Sequence, residues 1–471
     1  MRLRACLLAA TFALTAHAAE PLAPTPTPLS ADSLQNAAAL RDQHVDAGAA
    51  YAIVESLTTE VGPRMVGTPA DARAVEWAQQ KFKALGFDEV RIEPFKFPYW
   101  RRGHERGEVL APFPQPLAIT ALGGSIGTGG APLEADILAF DSIAALQAAP
   151  EGAAEGKIVF ISQRTQRARD GRGYGLSVIG RSSGAVEAAK KGAVGLIIRS
   201  ISTNTDRFPH TGIMRYADGV NQIPAAAVSN PDADLLTRML ERGQPVRIRL
   251  DIDAENRGEA TSYNVIGDIR GRERPDEVVV IGGHLDSWDL GTGALDDGAG
   301  VGITMAAGAA LLKLDQRPRR TVRVIAWGNE EQGLIGARAY AALHAEQMAN
   351  HVIGAESDFG AGRIYALRAG VEPAYWPLLE QIAEVLAPLG IPFEREGGGP
   401  GPDIGPLVQR GVPWAQLAQD GMDYFDYHHT ANDTLDKIDS EALDQQARAY
   451  AVFAYLAAEA GSGFGRAPKQ P

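Results

Sequence analysis

The chain has 471 residues, of which 45% are hydrophobic and 22% charged, so it is long enough for two or three domains with ordinary buried cores. Its formal net charge of −13, with no basic stripe carrying interleaved aromatic residues, argues against nucleic acid or an anionic membrane surface as a partner. A single cysteine, Cys6, excludes a disulfide-stapled fold.

Residues 1–18 have the pattern of a signal peptide. Arg2 and Arg4 precede an apolar run at 5–16, and the A-H-A sequence at 16–18 is a small-x-small cleavage site. Because the run is too short to span a bilayer, we expect cleavage, export to the periplasm or medium, and no membrane contact afterwards. Cleavage would remove Cys6 and leave 43 basic against 58 acidic residues, a net charge of −15.

Composition and periodicity divide the remaining chain into segments. Helical patterns at 40–61 and 69–85 lead to a strand, and short strands with frequent turns begin near residue 105. From Tyr263 onwards, strands alternate with helices, which predicts an α/β fold with a mostly parallel central sheet covered by helices on both faces. The expected organisation is a Pro/Thr-rich spacer at 19–38, a catalytic domain formed by 39–104 and 258–465, an inserted mainly β module at 105–257, and a flexible tail at 466–471.

A helix rich in glycine and alanine is expected after Asp297. Glycine weakens a helix, so the compensating feature is expected to be a close approach between this helix and the sheet.

Five residues with metal-ligating side chains each follow a strand-like run. In chain order they are His284, Asp296, Glu331, Asp358 and His429. Open α/β sheets carry their chemistry at the carboxyl ends of the strands, so these side chains are expected to meet there. Two imidazoles and three carboxylates suit zinc, although cobalt or manganese could substitute. One carboxylate more than a single tetrahedral ion needs indicates two Zn²⁺ ions that share a bridging ligand.

Further acids accompany these ligands. Asp286 lies two residues after His284, on the same side of an extended segment, so its carboxylate is expected to hold the second ring nitrogen of a metal-bound imidazole. Glu330 and Glu331 are adjacent and diverge in extended backbone. One can therefore bind metal while the other faces the open coordination site as a general base.

The motifs H-L-D-S-W, D-D-G-A-G, N-E-E-Q-G, E-S-D and H-H-T-A-N-D-T occur in the order typical of a known family. Over most of its length the chain resembles the two-zinc exopeptidases, which include secreted bacterial aminopeptidases and glutamate carboxypeptidases, with the plasma glutamate carboxypeptidase branch as the nearest likeness. The inserted segment, with G-K-I-V and G-A-V-G-L-I-I, is similar to a protease-associated domain. The resemblance implies a zinc aminopeptidase-like fold and hydrolysis of dipeptides or short peptides.

The resemblance also implies a role for each matched ligand. Asp296 would bridge both zinc ions and be followed by a cis peptide bond. His284 and Asp358 would complete one zinc site, and Glu331 and His429 the other.

The family's general base matches Glu330, which would take a proton from the water that bridges the ions and pass it to the leaving amine. Many relatives carry tyrosine where this chain has His428, so the oxyanion donor stays open between His428, Tyr427 and Tyr424. Asp403, in the loop after G-G-G-P-G-P, could line the substrate pocket.

Other functions compete with hydrolysis. A single-zinc glutaminyl cyclase-like acyltransferase shares the fold, and a non-catalytic receptor-like binding protein would have lost ligands. The complete ligand set with Glu330 favours a peptidase. Aminopeptidase or carboxypeptidase polarity, side-chain preference and oligomeric state, including a homodimer, stay open. The remaining histidines have no partner at metal spacing and are expected to be structural or solvated: His44, His104, His210, His344 and His351.

Overall fold

The structure is a computed structural model and describes residues 26–468. The predicted signal peptide, including Cys6, and residues 469–471 of the predicted tail therefore lie outside the described residues. Within 26–468, no helix combines the length and apolar character needed to cross a membrane.

The described chain alternates helices with strands. The helices are α1 Ala31–Ala39, α2 Ala49–Glu60, α3 Pro69–Leu85, α4 Ile143–Ala148, α5 Arg172–Ser182, α6 Gly184–Lys190, α7 Asn230–Leu240, α8 Ala299–Leu311, α9 Ile335–Leu343, α10 Trp376–Leu386, α11 Gly405–Val408, α12 Tyr424–Tyr427 and α13 Ser440–Glu459. The strands are β1 Glu89–Ala111, β2 Gln115–Leu117, β3 Ile119–Ala121, β4 Leu133–Phe140, β5 Ile158–Ile161, β6 Gly195–Arg199, β7 Ala225–Val228, β8 Arg247–Ile269, β9 Arg274–His284, β10 Arg320–Trp327, β11 His351–Glu356, β12 Ile364–Gly370 and β13 Trp414–Gln419.

All of these strands belong to one mixed sheet. Its order is β12-β13-β11-β9-β10-β8-β4-β5-β6-β7-β3, with β1 paired to β8 and to β2. Strands β13, β11, β9 and β10 are parallel neighbours. The long strands β1 and β8 form an antiparallel ribbon that joins this parallel core to the strands of the inserted segment.

Helices cover both faces of the parallel core, as predicted for the α/β class. In β9, Val279 and Ile281 pack with α2, α8 and α13 on one face, whereas Val278 and Val280 pack with α9 and α11 on the other. Alternate side chains of a strand point to opposite faces, so an unbroken apolar run is what a strand buried on both sides requires.

Helix α8 approaches the sheet closely, as its small residues predicted. A Cβ atom added at Gly283 of β9 would lie 2.7 Å from the backbone of Gly300, and one added at Gly300 would lie 1.9 Å from the carbonyl oxygen of Ser357. The contact therefore depends on glycine on both elements.

The inserted segment contains the helices α4, α5, α6 and α7 beside its strands. Strands β4, β5, β6 and β7 are parallel neighbours, and parallel neighbours need crossover connections, which here contain α4, α5 and α6. Buried runs in β5 and β6 fit strands that are covered on both faces.

Three boundaries also differ from prediction. The spacer was placed at 19–38, but Ser30 caps helix α1, whose buried residues include Ala37. The helical pattern at 40–61 is interrupted, because Gly48 adopts φ +74° immediately before α2. In the predicted flexible tail, Arg466 donates to the carbonyl oxygen of Arg410 at 2.6 Å and therefore contacts the folded body.

Candidate metal centre

The predicted ligands meet at the carboxyl edge of the parallel core. His284 is the last residue of β9, Glu331 follows β10, Asp358 follows β11, and His429 follows β13 and α12. The ligating atoms of the predicted ligands form two groups, each with all atoms within 4.8 Å of one another: His284, Asp296 and Asp358 in one, and Asp296, Glu331 and His429 in the other. A third group with the same spacing joins His210, His428 and His429, so the expectation that His210 has no partner at metal spacing was wrong.

The Asp296 carboxylate belongs to both groups. Its Oδ1 atom lies 3.0 Å from Nε2 of His284. The same nitrogen lies 3.7 Å from Oδ1 of Asp358. Its Oδ2 atom lies 3.2 Å from Nε2 of His429, which is 2.8 Å from Oε2 of Glu331. The two oxygens therefore face two separate sets of nitrogen and oxygen donors.

The donor chemistry of this cluster fits cations. Oδ2 of Asp296 and Oε1 of Glu331 are buried and have no hydrogen-bond partner among residues 26–468. Buried polar atoms normally have partners, so each such exception calls for an explanation such as a bound ion. Nitrogen and oxygen donors in this combination are those of zinc sites.

Burial and mutual charge control protonation in the cluster. Burial lowers the pKa of His429, but Glu331 and Asp296 outweigh it and raise that pKa to about 9. Burial raises the pKa of Glu331 to about 7, and it raises the pKa of Glu330 well above its usual range, with Asp358 adding to the effect. Ionised carboxylates are therefore costly here without compensating positive charge.

Backbone contacts position Asp296 and Asp297. The peptide bond between them is cis, as the family resemblance implied. Asp297 accepts from the backbone N–H groups of His284 at 2.9 Å and Gly300 at 3.0 Å, which ties β9 to the start of α8. Asp433 accepts from the backbone N–H groups of Leu295 at 2.7 Å and of Asp296 at 3.1 Å.

Asp286 has a different role from the predicted one. Nδ1 of His284 donates to the backbone carbonyl of Asp286 at 2.9 Å, while the Asp286 carboxylate lies 3.8 Å from that nitrogen. The carboxylate instead accepts from the N–H groups of Glu330 at 3.1 Å and Glu331 at 3.4 Å. The expected carboxylate–imidazole contact was thus wrong, although the imidazole is oriented with Nε2 towards the cluster.

The structure separates the candidate substrate contacts. His428 and Tyr424 line a cleft of about 320 Å³ together with Glu330. Nε2 of His428 lies 3.5 Å from Oδ2 of Asp296. Tyr427 is not among the cleft-lining residues and packs under the Lys437 ammonium group.

Asp403 is fully buried rather than exposed in the cleft. Its backbone N–H donates to Oε2 of Glu356 at 2.8 Å, and burial, together with the Glu356 charge, raises the pKa of the Asp403 carboxyl.

Sequence reasoning missed the contribution of the inserted segment. His210 was expected to be structural or solvated, but its ring stacks on that of His429 with centroids 4.9 Å apart, and its Nδ1 donates to the carbonyl of His428 at 2.8 Å. The backbone N–H of Thr211 donates to the carbonyl of His429 at 3.0 Å. This contact holds His429 in a left-handed conformation, with φ +60°, that residues other than glycine rarely adopt.

Comparisons with known proteins agree on one family. Residues 264–454 match the model of peptidase family M28. Carboxypeptidase Q from Bos taurus is 37% identical over 410 residues, which cover 87% of this chain and 85% of that protein, and carboxypeptidase Q from Homo sapiens gives the same identity and coverage.

Solved structures give the same result. The crystal structure of a peptidase M28 precursor from Shewanella amazonensis is 51% identical, has a TM-score of 0.91, and matches over 93% of this chain and 99% of that chain. BSAP, a zinc aminopeptidase from Bacillus subtilis, is 21% identical with a TM-score of 0.64 over 87% of this chain and 95% of that chain, which shows a shared fold.

Proposed function

The chain belongs to peptidase family M28, and we propose that it is a zinc-dependent exopeptidase in which Asp296 bridges two zinc ions. The observation that carries the proposal is the division of the Asp296 carboxylate, with one oxygen facing His284 and the other facing His429. A single-zinc acyltransferase would need only one such group, so the paired arrangement favours hydrolysis.

The roles of the surrounding residues follow from their positions. Zinc held by these ligands would lower the pKa of a water molecule and polarise the peptide carbonyl. Glu330 lies in the cleft beside both ligand groups and acts as general base: it accepts a proton from the attacking water and donates it to the leaving amine. Asp286 fixes the backbone of Glu330 and Glu331.

The oxyanion donor is proposed to be His428. Its ring lines the cleft and lies within 3.5 Å of Asp296, whereas Tyr427 packs elsewhere. Removing one such preorganised donor from an oxyanion site typically raises the activation free energy by about 3 kcal/mol.

The proposed substrates are dipeptides or short peptides. Relatives of this chain are named carboxypeptidase Q and zinc aminopeptidase, and a cleft of about 320 Å³ has room for only a few residues. The apolar leader at 5–16 supports export, with a mature protein that begins at Ala19 in the periplasm or medium. Amino-terminal sequencing of the exported protein tests this point, and an intact Met1 would contradict it.

The decisive experiment compares Glu330→Gln with wild type after zinc reconstitution. We expect both proteins to retain zinc, while kcat for dipeptide hydrolysis falls by about 10²–10⁴-fold in the variant because the general base is lost. Glu346→Gln is the matched control, since Glu346 is exposed in the short 3₁₀ helix Ala345–Asn350 after α9 and its substitution should leave kcat unchanged. Near-normal turnover by zinc-loaded Glu330→Gln would remove Glu330 from this role.

A further inference from the structure

The two imidazoles of the proposed zinc ligands are oriented by different parts of the chain. Nδ1 of His284 donates to the backbone carbonyl of Asp286, two residues further along. Nδ1 of His429 donates at 3.2 Å to the backbone carbonyl of Thr211, which lies 218 residues earlier, in the inserted segment. The first contact is local to the turn after β9, whereas the second joins two distant segments.

The contact with Thr211 fixes which ring nitrogen of His429 carries a proton. A carbonyl oxygen only accepts hydrogen bonds, so the proton lies on Nδ1 and Nε2 is the nitrogen available to a cation. Nε2 lies 3.2 Å from Oδ2 of Asp296 and 2.8 Å from Oε2 of Glu331. Metal-bound imidazoles ordinarily have their other nitrogen held in this way, and here the inserted segment supplies the acceptor.

His210 adds a second contact from the inserted segment. Its Nε2 accepts from NH1 of Arg181 at 2.9 Å, and because a guanidinium only donates, the ring proton of His210 lies on Nδ1. That nitrogen donates to the backbone carbonyl of His428 at 2.8 Å, and the ring stacks on that of His429. His210 is fully buried, so it limits the rotation of the His429 ring from one face.

The three neighbouring imidazoles are not arranged as ligands of a further ion. The rings of His428 and His429 are stacked with their planes 19° apart, and those of His210 and His429 with planes 21° apart. A neutral imidazole has one donor and one acceptor nitrogen, and both nitrogens of His210 already have partners. His210 therefore supports a ligand and is not itself one.

The inserted segment also holds the start of the loop that carries His429, residues 420–430. Oδ1 of Asp426 accepts from Oγ1 of Thr203 at 2.7 Å, and Oδ2 accepts from the Arg167 guanidinium at 2.7 Å. The backbone N–H of Thr203 donates to the carbonyl of Phe425 at 3.0 Å. The loop is thus attached to the inserted segment both before and at its metal-ligating histidine.

We propose that His210 and Thr211 are positioning residues for His429, so that the inserted segment sets the affinity of one of the two zinc sites. This inference rests on the proposed function and adds to it a role for the inserted segment. The two sites are named here by their imidazoles: the His429 site comprises Asp296, Glu331 and His429, and the His284 site comprises His284, Asp296 and Asp358.

The His284 site is oriented within the catalytic domain. Its imidazole donates to the carbonyl of Asp286, and the backbone N–H of the shared ligand Asp296 donates to Asp433 at 3.1 Å. Loosening the contacts of the inserted segment should therefore lower zinc affinity at the His429 site and leave the His284 site nearly unchanged.

The test compares wild type with His210→Leu, which removes the Nδ1 donor and keeps an apolar side chain of similar size. Both full-length proteins are dialysed against a series of buffered free zinc concentrations, and bound zinc is counted by atomic absorption. Crystals equilibrated at the same concentrations give anomalous maps that assign each ion to a site. We expect affinity at the His429 site to fall by about 10–100-fold, the usual effect of removing a group that orients a metal ligand, and affinity at the His284 site to change less than about threefold.

Two variants separate positioning from a general loss of stability. His351→Leu is the matched control, because His351 is also buried with both ring nitrogens hydrogen-bonded, but lies at the amino end of β11, away from the ligands. It should lower the melting temperature and leave both zinc affinities unchanged. His210→Asn places an amide donor near the position of Nδ1 and should recover part of the affinity lost in His210→Leu.

Thr203→Val tests the same role without changing a residue that touches His429. Valine keeps the shape of threonine but cannot donate to Asp426. Affinity at the His429 site should fall by about fivefold, which corresponds to about 1 kcal/mol for one lost hydrogen bond. This variant decides the question if His210→Leu does not fold.

The inference is overturned if His210→Leu and Thr203→Val leave the His429 site unchanged, if they weaken both sites alike, or if His351→Leu produces the same selective loss. Failure of the proposed function would look different. Wild type would then show no pair of ions sharing Asp296 at any zinc concentration, which would overturn both proposals together.

Discussion

Asp433 offers a sharp test of how the bridging carboxylate is held. Its side chain is 3% exposed, and its two oxygens accept from the N–H groups of Leu295 and Asp296 at 2.7 and 3.1 Å. In Asp433→Ala both N–H groups lose their partner inside the protein, at a cost of about 1–3 kcal/mol each. Burial raises the pKa of Asp433 to about 7, so removing this costly charge offsets part of the loss.

For the metal-free protein we therefore expect Asp433→Ala to lower the free energy of unfolding by about 2 kcal/mol, the lower end of the range for two lost hydrogen bonds. Zinc affinity should also fall by about 10–100-fold, as when other groups that orient metal ligands are removed. Urea unfolding in the presence of chelator measures the first quantity, and competition with a coloured chelator measures the second.

Asp436→Ala is the matched control, because Asp436 is in the same loop with a side chain 70% exposed. It should shift the unfolding free energy by less than about 0.5 kcal/mol. If Asp433→Ala matches this control in both stability and zinc affinity, the two hydrogen bonds do not position Asp296 and the reasoning is refuted.

Three further outcomes are expected. Burial lowers the pKa of His351 to about 4, so the neutral imidazole contributes its full stability above pH 6.5. This contribution, about 3 kcal/mol, is lost as the pH falls through 4. In the presence of chelator, His351→Gln should flatten this decline in the free energy of unfolding, and an unchanged pH profile would contradict the prediction. Gly300→Ala places a methyl group against Ser357, so it should lower the free energy of unfolding by about 1–3 kcal/mol and remove most activity. A Cβ atom added at Gly175 has nothing within 4 Å, so Gly175→Ala should leave the free energy of unfolding unchanged in a urea titration. Equal effects of the two substitutions would refute the packing argument. Chelation should abolish dipeptide hydrolysis and added zinc should restore it, while full activity in chelator would exclude a metal mechanism.

The ligand set could be predicted because its signals are local. Four of the five ligands follow apolar runs that became β9, β10, β11 and β13, with their carboxyl ends at one edge of the sheet. The fifth, Asp296, lies between β9 and α8 and follows no strand directly. A parallel sheet therefore converts an order along the chain into a cluster in space. The structure brings the predicted atoms together, while their roles as zinc ligands stay a proposal.

Contacts across long sequence separations could not be predicted. His210 and His428 are 218 positions apart, and nothing near either residue indicates that their segments pair. The prediction for Asp286 failed for a different reason. Side chains two residues apart share a side only in an extended strand, but β9 ends at His284, and beyond it the backbone carbonyl of Asp286 faces the imidazole.

Anomalous diffraction at the zinc edge, on crystals of the zinc-loaded protein, tests the central claim most directly. We expect two peaks about 3.5–4 Å apart, with one oxygen of Asp296 on each. A single peak, or peaks that do not contact Asp296, would contradict the two-ion site.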